Sequence, residues 1–303
     1  VIETKRGAAG LSIASNAILI ALKLAAGAIT GSIAILTEAV HSLIDLVASV
    51  VAYVSVRKAD EPADAEHPYG HEKVENLAAT IEGMLILVGA GIIVYEATHR
   101  LVVGSTVESL GVGIAVMAIS MVANLGVSSV LSRQAKAHDS ATLEGDAAHL
   151  RTDALTSGGV LVGLALVQVT GATAFDSITA LIVAAAIVWA GIRIIRRSSG
   201  VLVDEALPGA EMDRIEQAIA TARTPEVAGY HKLRARRAGA RRHIDLHVQY
   251  RSGTSLERAH ELAHLMRDSI EAEIPQAEVL IHVEPETSVR EPDDSASGPY
   301  RSG

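Results

Sequence analysis

Residues 38–47 read EAVHSLIDLV, and residues 146–155 read DAAHLRTDAL. Each segment places a His four residues before an Asp: His41 and Asp45 in the first, His149 and Asp153 in the second. Four residues is close to one helical turn, so the two side chains of a pair stand on one face, one above the other. Both pairs lie near the middle of long stretches rich in Ala, Val, Ile, Leu and Gly. An ionisable group there costs about 2.5–3.5 kcal/mol on membrane-insertion scales, so it is usually paired and functional. Two imidazoles and two carboxylates suit tetrahedral Zn2+, and the two negative charges cancel that of the ion. The competing reading, two unrelated polar contacts between helices, has to account for the same spacing twice. Glu38 and Asp146 stand one turn before these His residues; a helix-end carboxylate is the plainer reading, and a group that supports the ligands or lies on the ion's path is the alternative.

Working outward, the apolar stretches fall at about 9–30, 33–57, 74–102, 108–133, 141–170 and 174–198, each near the ~20 residues a bilayer requires. The expectation is six transmembrane helices. Short turns, AITGS and VTGATA, join the first to the second and the fifth to the sixth. Basic residues gather on the other side: Lys5, Arg6, Arg57, Lys58, Lys73, Arg133, Lys136, Arg193, Arg196 and Arg197, with Arg100 the exception. That bias puts both termini in the cytoplasm. Asn16, Lys23, Asn124 and Gln168 lie within the spans, where a cavity lining and interhelical hydrogen bonds explain them equally well.

Beyond residue 200 the sequence becomes that of a soluble domain. The expected division is a membrane domain over 1–200, a linker over 201–209, a second domain over 210–290 and a disordered tail over 291–303. An amphipathic helix begins after Pro208. YHKLRARRAG and RRHIDLHVQY alternate like strands; in the second, Ile244, Leu246, Val248 and Tyr250 share one face. A helix follows, capped by Thr254 or Ser255, and then the strand AEVLIHVEP. The order α-β-β-α-β predicts a small ferredoxin-like α/β domain with its helices on one face of an open sheet.

The net charge of −9 argues against a nucleic-acid partner. There is no Cys, so any metal is held by His, Asp and Glu. The helix after Ser255 contains AHELAHLM, in which His260, Glu261 and His264 form the H-E-x-x-H of zinc proteases. A protease also needs a third ligand and a substrate cleft, which so small a domain hardly provides.

With these residues in place, the chain resembles the cation diffusion facilitator family of divalent-cation/proton antiporters over nearly its whole length. The family carries an H/D-x-x-x-D pair on its second and fifth helices, here His41, Asp45, His149 and Asp153. The combination of two His and two Asp is the one associated with zinc. The loop DAEHPYGHEK resembles the family's D-x-x-H-x-x-G-H-x-K, which implies a further site at Asp64, His67 and His71. Lys73 matches the family's charge interlock between its two domains, with Asp204 as the implied partner. In the cytoplasmic domain the family builds a binuclear zinc site at a dimer interface. Its ligands carry over to His231, His247, His260 and His282, with Glu284 where the family has Asp. Lys232 stands where an Asp is common. The resemblance thus implies a homodimer in a bacterial inner membrane, not an enzyme. Zn2+ would be both cargo and regulator, with H+ as the coupling ion. The alternatives are the same antiporter serving Cd2+, Co2+, Fe2+ or Mn2+, and a membrane metal sensor that transports nothing.

Overall fold

The computed structural model describes residues 4–30, 33–103, 111–170 and 174–288. The expected tail over 291–303 lies outside them. The chain divides into two compact units, Val1–Leu202 and Val203–Gly303.

Six long helices make up the first unit: α1 Lys5–Thr30, α2 Ile33–Ala59, α3 Lys73–Val103, α4 Gly111–His138, α5 Ala141–Thr170 and α6 Ala174–Leu202. At 26 to 31 residues each, they measure roughly 39–46 Å at 1.5 Å per residue, longer than a hydrocarbon core of about 30 Å. Among the described residues, Lys5–Ala26, Lys73–His99 and Ser177–Leu202 are long and apolar enough to cross a membrane. α2 and α5 are the helices that carry the His/Asp pairs and their neighbouring charges.

The burial pattern inverts that of a water-soluble bundle. Large apolar side chains point outward, among them Leu43, Val47 and Val54 on α2, Val88 and Ile92 on α3, and Ile182 and Trp189 on α6. Small and polar side chains point inward: Ala8, Ala52, Ala79 and Ala184, with Ser12, Asn16, Ser49 and Asn124. Lipid tails are as apolar as Leu, so helices in a bilayer associate through close packing and hydrogen bonds instead of by hiding Leu. The α3–α6 contact works this way. A Cβ on Gly191 would lie 2.9 Å from Leu87 Cδ2, and one on Gly83 would lie 2.7 Å from Ile195 Cγ1. At one end of the bundle, Lys5 reaches Glu75 at 2.7 Å and Asp60 at 3.3 Å, and Ser140 donates to the same Glu75. That network joins the starts of α1, α3 and α5 to the residue just after α2.

The second unit contains α7 Gly209–Ala222, β1 Val227–Ala238, β2 Arg241–Tyr250, α8 Leu256–Glu273 and β3 Ala277–Pro285. β2 is central, antiparallel to β1 and parallel to β3. A two-residue hairpin joins β1 to β2, with Gly239 at a φ of 57° that a β-carbon would disfavour. Ser255 caps α8, its hydroxyl accepting from the Arg258 N–H at 3.2 Å. Ile244, Leu246, Val248 and Tyr250 are buried in one core with Ile215 and Ile219 of α7 and Leu262, Met266 and Ile270 of α8. The helices therefore cover one face of β2, and its His247 points to the other.

Candidate metal centre

α2 and α5 bring Asp45, His149 and Asp153 together. His149 Nε2 lies 3.2 Å from Asp45 Oδ1 and 3.9 Å from Asp153 Oδ2, and one ligand atom from each residue falls within 4.8 Å of the others. Ligands held tetrahedrally at about 2.0–2.1 Å from zinc stand roughly 3.3 Å apart, so this spacing fits one ion. Asp45 and His149 are 6% and 7% exposed, which shields the site from competing water. Asp153 supplies the i, i+4 partner of His149 on the same helix. His41 is on α2 one turn before Asp45, but its side chain lies outside the described residues, as does that of Glu38.

Asp146 is not a helix-end carboxylate. It is 1% exposed, and its Oδ1 accepts from Ser12 of α1 at 3.2 Å and Ser49 of α2 at 3.5 Å. Asn16 donates to Ser49 at 2.8 Å, and Lys23 to Ser42 at 2.6 Å. These polar residues form a hydrogen-bonded layer between α1, α2 and α5. The side chain of Gln168 is outside the described residues.

Sequence reasoning assigns no role to Glu82. It sits nine residues into α3, is 1% exposed, and neither carboxylate oxygen has a hydrogen-bond partner among the described residues. Its position in an apolar span is the available signal, because a mid-span carboxylate needs a reason.

The loop before α3 draws together Asp64, His67 and His71. Asp64 Oδ1 accepts the backbone N–H groups of His67 at 2.6 Å and Glu66 at 2.9 Å, while its Oδ2 lies 3.3 Å from His71 Nε2. The backbone donors, His67 first, hold the Asp64 carboxyl below its ordinary range. His71 is buried at the start of α3; Asp64 and His67 are exposed. Lys73 opens α3, and Asp204, in the other unit, accepts from Arg236 at 3.2 Å.

In the second unit strand register does the assembling. His231 of β1 is paired with His247 of β2, and His247 with His282 of β3, so three imidazoles form a row across the sheet. Their ring centroids stand 5.2 and 4.6 Å apart. Glu284, two residues after His282 and hence on the same face, lies 3.1 Å from His231 Nε2, 2.6 Å from His247 Nδ1 and 3.5 Å from His282 Nε2. Burial raises the Glu284 carboxyl, but the three imidazoles, His247 foremost, bring it below its ordinary value. His231, His247 and Glu284 present converging ligand atoms, a donor set that fits zinc. Lys232 has a φ of 49° where β1 loses register between His231 and Arg234. Such a bulge re-aims the residue beside it. His260 is not among the converging ligands; on α8 its Nε2 lies 3.1 Å from that of His264, and both are exposed.

Residues 10–203 match the family model of the cation efflux transmembrane domain, and residues 207–286 that of the cation efflux protein cytoplasmic domain. An uncharacterized transporter of Synechocystis is 34% identical over 275 residues, covering 91% of this chain and 88% of that protein. The cation-efflux pump FieF of Pectobacterium atrosepticum is 33% identical over 274 residues, 90% of each chain. A solved structure of the putative zinc transporter CzrB, in its zinc form, is 32% identical and covers 29% of this chain and 99% of that one, with a TM-score of 0.27.

Proposed function

Because the chain belongs to the cation diffusion facilitator family of divalent-cation efflux transporters, which are not enzymes, we propose that it exports Zn2+ from the cytoplasm in exchange for protons. The observation that carries this reading is the convergence of Asp45, His149 and Asp153 between two buried helix faces. With His41 as the fourth ligand, the site offers two imidazoles and two carboxylates. Imidazole favours zinc over hard cations such as Mg2+ or Mn2+.

Metal binding requires deprotonated ligands, so the arrival of zinc expels protons and its departure readmits them. All six long helices cross the bilayer, and both termini face the cytoplasm. The helices carrying the site rock against the others to expose it to one side at a time. Asp64, His67 and His71 hold zinc near the entry to α3. The second unit is the regulator: the row of His231, His247 and His282 with Glu284 takes up zinc as cytoplasmic metal rises. Two copies of the chain then close on each other, His260 supplies a ligand within that dimer, and Lys73 with Asp204 couples the change to the helices.

Metal-dependent flux in proteoliposomes tests the proposal. Zinc should move only when an opposing proton gradient is present, and Asp153→Ala should abolish the movement. A preference for Mn2+, Fe2+, Cd2+ or Co2+ in the same assay would reassign the cargo. No flux of any ion would make the chain a sensor.

A further inference from the structure

Glu82 is the one fully buried carboxylate of the first unit whose two oxygens both lack a hydrogen-bond partner among the described residues. Its carboxylate rests directly on the α5 backbone at Gly145: a Cβ there would overlap Glu82 Oε2 and lie 3.3 Å from Ala79 Cα. Gly145 is four residues before His149, so the Glu82 carboxylate meets α5 about one helical turn, roughly 6 Å of axial rise, before the His149 backbone. Among the described residues, Asp146 and His149 of α5 are charged groups near it. From the other side, α6 meets α3 with Ile187, Gly191, Ile194 and Ile195, none of them charged.

A carboxylate so placed cannot be carried as a bare anion. It is 1% exposed, it has no donor among the described residues, and its neighbour Asp146 is a second acid. A neutral, protonated carboxyl meets none of these objections. A structural carboxyl, by contrast, is normally hydrogen-bonded where it is buried. The arrangement is therefore one that holds a proton while no metal is bound. It also releases that proton when a dication arrives one turn away, because the added positive charge favours the anion.

We infer that Glu82 is a proton-binding site that carries one of the counter-transported protons, distinct from the metal ligands. The step is a simple exchange. The Glu82 O–H breaks as zinc enters the Asp45–His149–Asp153 site, and the proton leaves to the side from which zinc came. When zinc departs to the other side, a proton from that side reprotonates the same oxygen. Asp146, held by Ser12 and Ser49, stays in place as the acid whose charge favours the proton's return. This inference rests on the proton-exchange reading above.

The test is the number of protons moved per zinc in proteoliposomes, from the proton gradient that just balances a set zinc gradient. Glu82→Gln keeps the shape of the protonated acid and cannot lose a proton, so its ratio should be one proton lower than that of the wild type. Glu82→Asp, which keeps a carboxyl group, should retain the wild-type ratio. An unchanged ratio in Glu82→Gln overturns the inference and leaves the exchange reading intact, whereas wild-type zinc flux with no proton movement removes the exchange reading itself. Infrared difference spectra of the wild-type chain provide a check that needs no variant. A protonated-carboxyl band should vanish when zinc is added, and its absence from the zinc-free protein overturns the assignment.

Discussion

Asp45→Asn isolates one charge of the proposed transport site while keeping its shape. Asp45 Oδ1 is 3.2 Å from His149 Nε2, and Asp45 is 6% exposed. In the proposed function that carboxylate supplies one of the two negative charges that offset the zinc dication. Removing one partner of a buried charge pair costs about 3–5 kcal/mol. At 1.4 kcal/mol per decade this corresponds to a loss of roughly 100- to 5000-fold in zinc affinity. The assay is initial zinc flux against zinc concentration in proteoliposomes, because zinc held at the proposed loop and strand sites would obscure a count of bound metal. At zinc concentrations below KM, flux should drop at least ~100-fold, while size-exclusion elution stays that of the wild type. A KM within tenfold of the wild type, with kcat unchanged, would refute the assignment of Asp45 to the site.

Three other outcomes follow from the same structure. His41→Asp combined with His149→Asp should weaken the preference for Zn2+ over Mn2+ in competition flux, because imidazole is what favours the softer ion; an unaltered preference would move selectivity elsewhere. Glu284 has a folded-state value below its ordinary 4.5. Its contribution to stability is therefore present above that value and lost as pH falls through the lowered one. The melting temperature of the wild-type chain should drop on acidification below about pH 4.5 more steeply than that of Glu284→Gln, and parallel curves would show that the imidazole contacts contribute nothing. Ser255→Ala removes the hydroxyl that caps α8 and should cost about 1 kcal/mol; a melting temperature of the second unit equal to that of the wild type would mean the cap is idle.

Periodicity and spacing are local properties, and the sequence determined what depends on them. The long apolar runs appear as α1 to α6 with ends shifted by a few residues, because helix length is set by the run itself. The alternation of Ile244, Leu246, Val248 and Tyr250 is buried as a set, since side chains in a strand alternate faces wherever the strand lies. The Ser255 cap is legible for the same reason. The four-residue spacing of His149 and Asp153 puts them on one face of any helix that contains them, whatever that helix packs against.

What joins distant segments was decided only by tertiary structure. No spacing within α2 or α5 requires Asp45 to lie 3.2 Å from His149; the packing of two helices does that. The row of His231, His247 and His282 depends on the register of three strands, and a slip of one residue would turn each imidazole to the opposite face. Glu284 then meets all three, whereas His260 pairs with His264 on a helix that presents them to solvent. Asp146 reads as a helix end because the sequence shows only that an acid stands near residue 141, not that Ser12 and Ser49 close over it. Glu82 and Gly145 are 63 positions apart and carry no shared motif. Their contact exists because α3 and α5 pack closely there: a Cβ at 145 would meet Glu82 Oε2 and lie 3.3 Å from Ala79 Cα, so the acid as placed uses the space that Gly145 leaves.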